Sequence, residues 1–252
     1  MKAFTRAVSP RIAECQLTHL DRVPIDPAKA VDQHAAYEQA LADAGYDIVR
    51  LPELADDPDA VFVEDTALIL GDHAVITRPG VASRANETDS TADGLQAYFD
   101  VHRLERGYLD GGDVLRIGRR LYVGVSTRTD PAGIAALAEL VGPLGYEVVT
   151  AKAGACLHLK TGATLAGGNL LLYNGQAIDP AQFAAVESMP VDEAEPAAAN
   201  CVSAGDRVIL PAGNPRTADA LRIRGLHVVE VEVSELQKAE AGVTCMSLLS
   251  DK

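Results

Sequence analysis

The protein has 252 residues, of which 48% are hydrophobic and 23% charged, a balance typical of a globular chain that buries a substantial core. Aromatic residues make up only 4% and tryptophan is absent, so the core must be aliphatic. The net charge of −14 argues against binding to nucleic-acid phosphates or to anionic membrane surfaces, and we expect neither as a partner.

Four short hairpins recur along the chain, each with an apolar strand, a glycine turn and a second apolar strand. Their turn glycines lie 47, 49 and 38 residues apart, which is a loose period. A recurring unit of this kind is typical of repeat architectures, so we expect one structural unit to be used several times. The predicted hairpins are residues 67–76, 114–123, 163–172 and 201–210.

Segments with helical character lie between the hairpins, and most lead into a further apolar strand. Proline after a capping residue and a closing glycine mark several of their ends. The predicted unit is therefore a hairpin, a helix and a strand. The predicted helices are residues 31–44, 87–99, one that begins at Asp130-Pro131, 180–186, and one that begins at Asn214-Pro215; the strands after them include 46–51, 146–149 and 226–231.

A fifth hairpin is missing from the middle of the chain, but residues 3–8 and 243–249 can supply its two strands. Pairing these segments would close the repeats into a ring and remove an exposed sheet edge. An open α/β sheet with the same segments at its edges is the alternative, and the periodic hairpins favour the ring. Because no Pro- or Ser-rich linker divides the chain, we expect residues 1–252 to form a single domain.

Cysteine usage and the N-terminal residues indicate a compartment. The first ten residues lack the apolar run of a secretory signal, and no apolar stretch approaches the roughly 20 residues that cross a bilayer. The four cysteines are widely spaced and form no CxxC pair, a usage typical of free thiols in a reducing environment. We therefore expect a cytoplasmic protein. The cysteines are Cys15, Cys156, Cys201 and Cys245.

Standard nucleotide-binding and zinc-protease motifs are absent, so any chemistry must come from cysteine, histidine and carboxylates. Cys245 lies among small and polar residues beside the last predicted strand, yet a free cysteine is more often a small buried hydrophobe than a nucleophile. His158 alternates with apolar neighbours, a pattern that favours a core histidine. Neither residue alone therefore predicts catalysis.

Two clusters of acids flank apolar or glycine-rich segments near the hairpins. An acid next to an apolar strand, as we interpret residues 61–63, is costly to bury unless a cation pairs with it. At corresponding ends of repeated hairpins the clusters would converge on one central opening, which predicts a cationic ligand. The clusters are Asp59 with Glu64 and Asp65, and Asp110 with Asp113.

Arg84 and Arg128 follow the second strands of two hairpins and lie in predicted turns. Most loop arginines are simply solvated. A guanidinium fork can nevertheless hold a carboxylate bidentately, so a substrate with one cationic and one anionic end could use both the acids and these arginines.

Five motifs, collinear along almost the whole chain, resemble those of one enzyme family. Each is weak alone, but together they are specific. The chain is similar to the dimethylarginine dimethylaminohydrolases, members of the superfamily of guanidino-group modifying enzymes. The motifs are Phe62-Val63-Glu64-Asp65-Thr66, Ile76-Thr77-Arg78-Pro79-Gly80, Leu109-Asp110-Gly111-Gly112-Asp113-Val114, Leu157-His158-Leu159-Lys160-Thr161 and Thr244-Cys245-Met246-Ser247.

The resemblance implies an α/β fold, the five-bladed α/β propeller of the pentein type, which agrees with four hairpins and a split fifth unit. It implies hydrolysis of Nω-methylated L-arginine to citrulline and methylamine or dimethylamine, with no metal or organic cofactor. Cys245 would be the nucleophile that forms a covalent thiouronium. His158 would protonate the leaving amine and then activate water, and Asp110 would orient the imidazole. Some relatives carry Glu at this position, so Asp110 shortens the reach.

The same resemblance implies how a guanidino substrate binds. Glu64 and Asp65 would hold the guanidinium, and Arg84 and Arg128 would hold the α-carboxylate. Asp59 and the backbone carbonyl of Leu17 would receive the α-amino group. The partner is then a small molecule, and the protein is a monomer or a homodimer.

Three alternatives remain at this point. An arginine deiminase uses the same chemistry and releases ammonia, but such enzymes carry an extra helical region that this chain lacks. A non-catalytic propeller that binds a partner would lack the joint cysteine, histidine and acid set. Cys245, His158 and an acid could also form a zinc site.

Overall fold

A computed structural model describes residues 1–154, 156–184 and 186–251 and contains five mixed sheets of three strands each. In every sheet the central strand pairs antiparallel with one neighbour and parallel with the other. The strands are β1 (Lys2–Thr5), β2 (Asp47–Arg50), β3 (Ala67–Leu70), β4 (His73–Ile76), β5 (Asp100–Arg103), β6 (Val114–Ile117), β7 (Arg120–Gly124), β8 (Glu147–Ala151), β9 (Ala163–Leu165), β10 (Leu170–Tyr173), β11 (Glu187–Pro190), β12 (Val202–Ala204), β13 (Arg207–Pro211), β14 (His227–Val231) and β15 (Leu248–Leu249).

The strand order confirms the predicted repeat and the split fifth unit. Four sheets, which we call blades 2 to 5, are each built from consecutive strands: a hairpin followed by a parallel strand. Blade 1 has the order β15-β1-β2, so its antiparallel pair joins the two ends of the described chain. Ala3 pairs with Leu249 and Phe4 with Leu248 in that pair. Blades 2, 3, 4 and 5 are β3-β4-β5, β6-β7-β8, β9-β10-β11 and β12-β13-β14.

The longer helices connect the strands of a blade, and their first turns explain where they begin. The helix that begins at Pro27 is capped by the Asp26 side chain, which accepts hydrogen bonds from the backbone N–H groups of Ala28 and Lys29. The helix that begins at Pro131 is capped in the same way by Asp130, which accepts from the Gly133 N–H. Both caps are followed by proline at the first helical position. The helices are α1 (Pro27–Asp43), α2 (Ala85–Leu95), α3 (Pro131–Val141), α4 (Leu159–Gly162), α5 (Pro215–Ile223) and α6 (Ser234–Gln237).

Three local predictions are wrong. Residues 61–63 do not form a strand but lead into a 3₁₀ turn at Val63–Thr66. The predicted helix at 180–186 is only a 3₁₀ turn at Pro180–Gln182 before β11, and residue 185 lies outside the described residues. The last predicted strand is mostly a turn at Thr244–Met246, with only β15 extended. Short apolar runs do not distinguish a buried turn from a buried strand.

Five hydrophobic clusters hold the blades together, and each cluster joins two neighbouring blades. The pairs run 1–2, 2–3, 3–4, 4–5 and 5–1, so the packing closes the circle. The described blades therefore form a five-bladed α/β propeller, as expected. In the same order, the pairs share clusters that contain Phe4 with Ile76, Leu68 with Val123, Tyr122 with Leu171, Leu172 with Val208, and Ile209 with Ala3.

These clusters are mostly aliphatic, as the composition predicts. Full burial of one Leu or Ile side chain stabilises a fold by about 1.5–3 kcal/mol, so the interfaces between blades carry much of the stability. Within the three described ranges, no helix is both long and apolar enough to cross a membrane.

Candidate active site

In each blade, the strand that pairs antiparallel with the central strand follows a short helical turn. Four of these five turns contain a predicted site residue or directly follow one. Because the turns occupy equivalent places in a ring of blades, they meet near its centre. Asp65 lies in the turn before β3, and Asp110 immediately precedes the turn before β6. His158 caps α4 before β9, and Cys245 lies in the turn before β15. The predicted convergence of acids from separate hairpins is therefore observed.

Cys245 sits in the turn with a partly buried thiol. The Gly242 N–H donates to its Sγ at 3.4 Å. A Cβ at position 242 would come within 2.2 Å of Oδ1 of Asn200, so the turn requires glycine there. Burial and then the negative charges of Glu64 and Asp65 raise the pKa of Cys245 to about 12. The nucleophile candidate is therefore a neutral thiol in the resting protein.

His158 is buried and held by carboxylates on both sides of its ring. Its Nε2 lies 3.2 Å from Oδ2 of Asp110, and its Nδ1 lies 3.9 Å from Oδ1 of Asp65. Burial opposes the charged imidazole, but Asp65, Asp110 and Asp113 outweigh it and raise the pKa of His158 to about 9. The ring is therefore an imidazolium at neutral pH. The shorter Asp110 side chain reaches it without a glutamate.

The acids around His158 are fixed by backbone amides. Asp65 accepts from the Gly112 N–H at 3.1 Å, and Asp110 accepts from the Gly80 N–H at 3.0 Å. A Cβ at position 112 would lie 2.6 Å from Nδ1 of His158, which explains the glycine. Although burial favours its neutral form, His158 and Arg84 lower the pKa of Asp65. Asp65 therefore remains an anion beside the imidazolium.

A small cavity joins these groups to the predicted amino-acid end of the site. Asp59 accepts from the Gln16 N–H at 3.1 and 3.2 Å, and Arg128 donates from Nη2 to Oγ1 of Thr18 at 2.8 Å. Leu17 lies between these two contacts in the chain. The cavity is lined by Gln16, Asp59, Phe62, Asp65, Arg84, Arg128, Leu157, His158, Ala239, Glu240, Ala241 and Cys245.

Glu64 is not among the residues that line this cavity. Its carboxylate accepts from Nζ of Lys160 at 2.6 Å and from Oγ1 of Thr244 at 2.7 Å, and it lines a separate cavity beside β3, β6 and β15. Arg84 does line the catalytic cavity, but it is buried and donates to Glu87 and Asp65. Of the two predicted carboxylate-binding arginines, Arg128 is the less committed to protein carboxylates.

The described residues include one group of side chains that could hold a metal ion. Ligand atoms of Asp65, Asp110 and His158 all lie within 4.8 Å of one another. This group is not the one that the zinc hypothesis named, because Cys245 is not part of it. The imidazolium of His158 already supplies a positive charge between the two carboxylates.

Sequence reasoning missed several residues that support the site. Asn200 donates to the carbonyl of Lys160 at 3.0 Å and accepts from the Thr244 N–H at 3.0 Å, so one amide links the His158 and Cys245 segments. Glu240 lines the cavity but lies outside every motif. Asn200 falls between helical and hairpin patterns. Only the sequence proximity of Glu240 to Cys245 could have drawn attention to it.

Comparison with known proteins gives consistent matches. A family profile described as eukaryotic N,N dimethylarginine dimethylhydrolase matches residues 16–179. The chain is 38% identical to the N(G),N(G)-dimethylarginine dimethylaminohydrolase of Pseudomonas aeruginosa, over 88% of this chain and 89% of that protein. It is 37% identical to the enzyme of that name from Streptomyces coelicolor, over 98% and 96% of the two chains.

Solved structures agree in fold. A cysteine-to-serine variant of the Pseudomonas aeruginosa enzyme, complexed with citrulline, superposes with a TM-score of 0.93 at 35% identity and covers 98% of both chains. A histidine-to-glycine variant of a dimethylarginine dimethylaminohydrolase, crystallised as an adduct with S-methyl-L-thiocitrulline, gives 0.92 at 35% identity, again over 98% of both.

The propeller and these neighbours define the class as a hydrolase of the guanidino-group modifying superfamily. Within that class, the chain belongs to the dimethylarginine dimethylaminohydrolase family.

Proposed function

We propose that the protein hydrolyses Nω-methylated L-arginine to L-citrulline and methylamine or dimethylamine, with Cys245 as the nucleophile. One observation carries the proposal: a thiol, an imidazolium and charges of both signs line the same cavity. The carboxyl groups of Asp65 and Asp59 suit the two cationic groups of the substrate, and Arg128 suits its carboxylate. Relatives of the same family bind citrulline or form an adduct with a thiocitrulline.

The raised pKa of Cys245 requires the substrate to help create the thiolate. A guanidinium bound beside Sγ adds a positive charge, which lowers the pKa of the thiol, and the proton leaves to solvent. The thiolate then attacks the guanidinium carbon. Collapse of the tetrahedral adduct breaks the bond to the methylated nitrogen, which takes a proton from His158 and leaves as a neutral amine. The products are a cationic thiouronium on Cys245 and a neutral imidazole.

The second half reverses the role of His158. A water molecule gives one proton to the neutral imidazole as its oxygen bonds to the thiouronium carbon. The C–S bond then breaks with the electron pair on sulfur, and the remaining proton restores the thiol. Citrulline, a neutral thiol and an imidazolium result, so atoms and charge balance. Asp110 keeps the imidazole oriented through both steps.

The substrate contacts are assigned by charge and position. Asp65, next to His158 and Cys245, suits the guanidinium. Asp59 and the carbonyl of Leu17 suit the α-amino group, since Gln16 already brings this segment to Asp59. Glu64 would act through Lys160 and Thr244 and through its charge on the thiol. Arg84 would act chiefly by fixing Asp65.

The proposed setting is the cytoplasm, and the protein acts on a free small molecule. All four cysteines are free thiols, as suits a reducing compartment.

The deciding experiment offers asymmetric dimethylarginine, monomethylarginine and arginine separately to the purified protein and measures citrulline. We expect citrulline from the methylated substrates and a mass increase on the Cys245 peptide when turnover is quenched. The control is Cys245→Ser, which should keep the fold and lose turnover. Faster turnover of arginine would make the protein a deiminase instead, and turnover by the serine variant would remove Cys245 from the mechanism.

A further inference from the structure

Residues 16–20, which we call the strap, lie beside the catalytic cavity, and Gln16 is part of its lining. Gln16 donates its backbone N–H to Asp59, and Thr18 accepts from Arg128. The strap therefore contacts both charged side chains assigned to the amino-acid end of the substrate. It forms no helix or strand, and apart from Leu17 its residues are exposed. Neither secondary structure nor burial of its own side chains therefore holds the strap in place.

Glu240, which lies more than 200 residues later in the chain, binds the backbone of the strap. Its carboxylate accepts from the backbone N–H groups of Thr18 at 2.9 Å, His19 at 2.5 Å and Leu20 at 2.6 Å. Three successive amides directed at one carboxylate form a concave anion site, and charge-assisted bonds of this kind are stronger than neutral ones. Glu240 thus binds three successive residues of the strap, in addition to the contacts of Gln16 with Asp59 and of Thr18 with Arg128.

The backbone of Glu240 adds an independent observation. Its φ is +60°, and in the part of the chain that the structure describes it is the one residue other than glycine with a positive φ. Such a conformation is disfavoured for a residue with a Cβ and persists where surrounding interactions impose it. A glycine at this position would avoid that cost, whereas the glutamate supplies the carboxylate that the strap amides contact.

The location of Glu240 connects the strap to catalysis. It lines the catalytic cavity together with Cys245, from which it is five residues distant in sequence. It also lines a second cavity together with His19 and Leu20 of the strap. Glu240 therefore contacts the strap and also belongs to the lining of the cavity that holds the reacting groups.

We propose that Glu240 is a positioning residue, whose carboxylate holds the strap closed over the amino-acid end of the substrate and so keeps Asp59 and the Leu17 carbonyl in place for the α-amino group. The proposal rests on the proposed function for its substrate, but the tie between Glu240 and the strap does not depend on turnover.

Two substitutions at position 240 distinguish the hydrogen bonds to the strap from the negative charge of the carboxylate. Glu240→Gly removes the carboxylate and suits a φ of +60°, so the backbone is not strained. Glu240→Gln removes the charge but keeps one acceptor oxygen for the strap amides. Glu193→Gln, at an exposed glutamate, is the matched control for losing one negative charge. Hydrogen exchange of the strap amides and the kinetics with asymmetric dimethylarginine are measured for all three.

In Glu240→Gly we expect the amides of residues 18–20 to exchange at least ~10-fold faster, because their acceptor is gone. We expect KM to rise about 10-fold or more with kcat within about threefold, since the reacting groups are untouched. Glu240→Gln should stay within about threefold of the parent in exchange and raise KM less than the glycine variant. Glu193→Gln should match the parent in both.

Two results would overturn the proposal. Unchanged exchange in Glu240→Gly would show that the carboxylate does not hold the strap. Unchanged exchange with an equal rise in KM in Glu240→Gln would show that Glu240 acts through its charge alone. If no substrate is turned over, the proposed function fails, while the exchange measurement still decides whether Glu240 holds the strap.

Discussion

The resting thiol of Cys245 makes a sharp prediction about its reactivity. We expect iodoacetamide to alkylate Cys245 slowly in the free protein near neutral pH, and the alkylation rate to keep rising up to at least pH 10. The reagent reacts with the thiolate, and burial with two nearby carboxylates keeps the sulfur protonated.

The magnitude follows from the thiolate fraction. An ordinary cysteine with a pKa near 8.5 is about one-tenth thiolate at pH 7.5. At a pKa of about 12, only about one thiol in 30,000 is ionised at that pH, so the thiolate fraction is about 3,000-fold lower. Because a more basic thiolate is also more nucleophilic, the rate constant should fall by less, about 100-fold.

Alkylation of the free protein is followed from pH 6 to pH 10 by mass spectrometry of the separated cysteine peptides. Cys156 provides an internal comparison, because burial raises the pKa of its partly exposed thiol to about 11. Cys245→Ser shows which peptide carries the label. An apparent pKa below 8 for Cys245 in the free protein would refute the substrate-assisted ionisation proposed here.

Three further changes test the site. Arg128→Ala should raise KM roughly 10- to 100-fold with little effect on kcat, because a charge-assisted pair is lost; exposed Arg216→Ala is the control, and an unchanged KM would contradict carboxylate binding. Because its pKa is raised to about 9, the protonated ring of His158 stabilises the folded protein. This stabilisation is complete below about pH 6.5 and is lost as pH rises through about 9. In Asp110→Asn, the free energy of unfolding measured with urea should decrease less as pH rises, and the alkaline limb of the kcat profile should move to lower pH. Unaltered pH profiles in this variant would contradict the contribution of Asp110 to the pKa of His158. Metal-free protein prepared with a chelator should keep its full kcat, whereas activity regained only with zinc would restore the metal hypothesis.

The repeat was predictable because it depends on hydrophobic periodicity and on turn glycines. Gly71 and Gly118 both adopt positive φ in their hairpins, a conformation that glycine adopts readily. Asp130 was likewise predictable as a helix cap. The turn at Thr244–Met246 was not, since small and apolar residues suit an edge strand equally well.

The site was predictable only in part, for a physical reason. Motifs identify side-chain types, but whether Glu64 faces the catalytic cavity depends on Lys160 and Thr244, which approach it from other blades. The same limit hid Asn200, whose partners are distant in sequence. Long-range hydrogen bonds leave no local pattern that one sequence can display.

Blade 1 has a consequence for the order of biosynthesis. Its β15 strand and the Cys245 turn belong to the same short segment, which pairs with β1 from the opposite end of the chain. Both β1 and β15, about 245 residues apart, must therefore be synthesised before this strand pair can form. Pairings between residues this distant in sequence tend to form slowly. Catalytic competence thus reports on completed assembly, and a chain shortened before this segment would lose this strand pair and the nucleophile together.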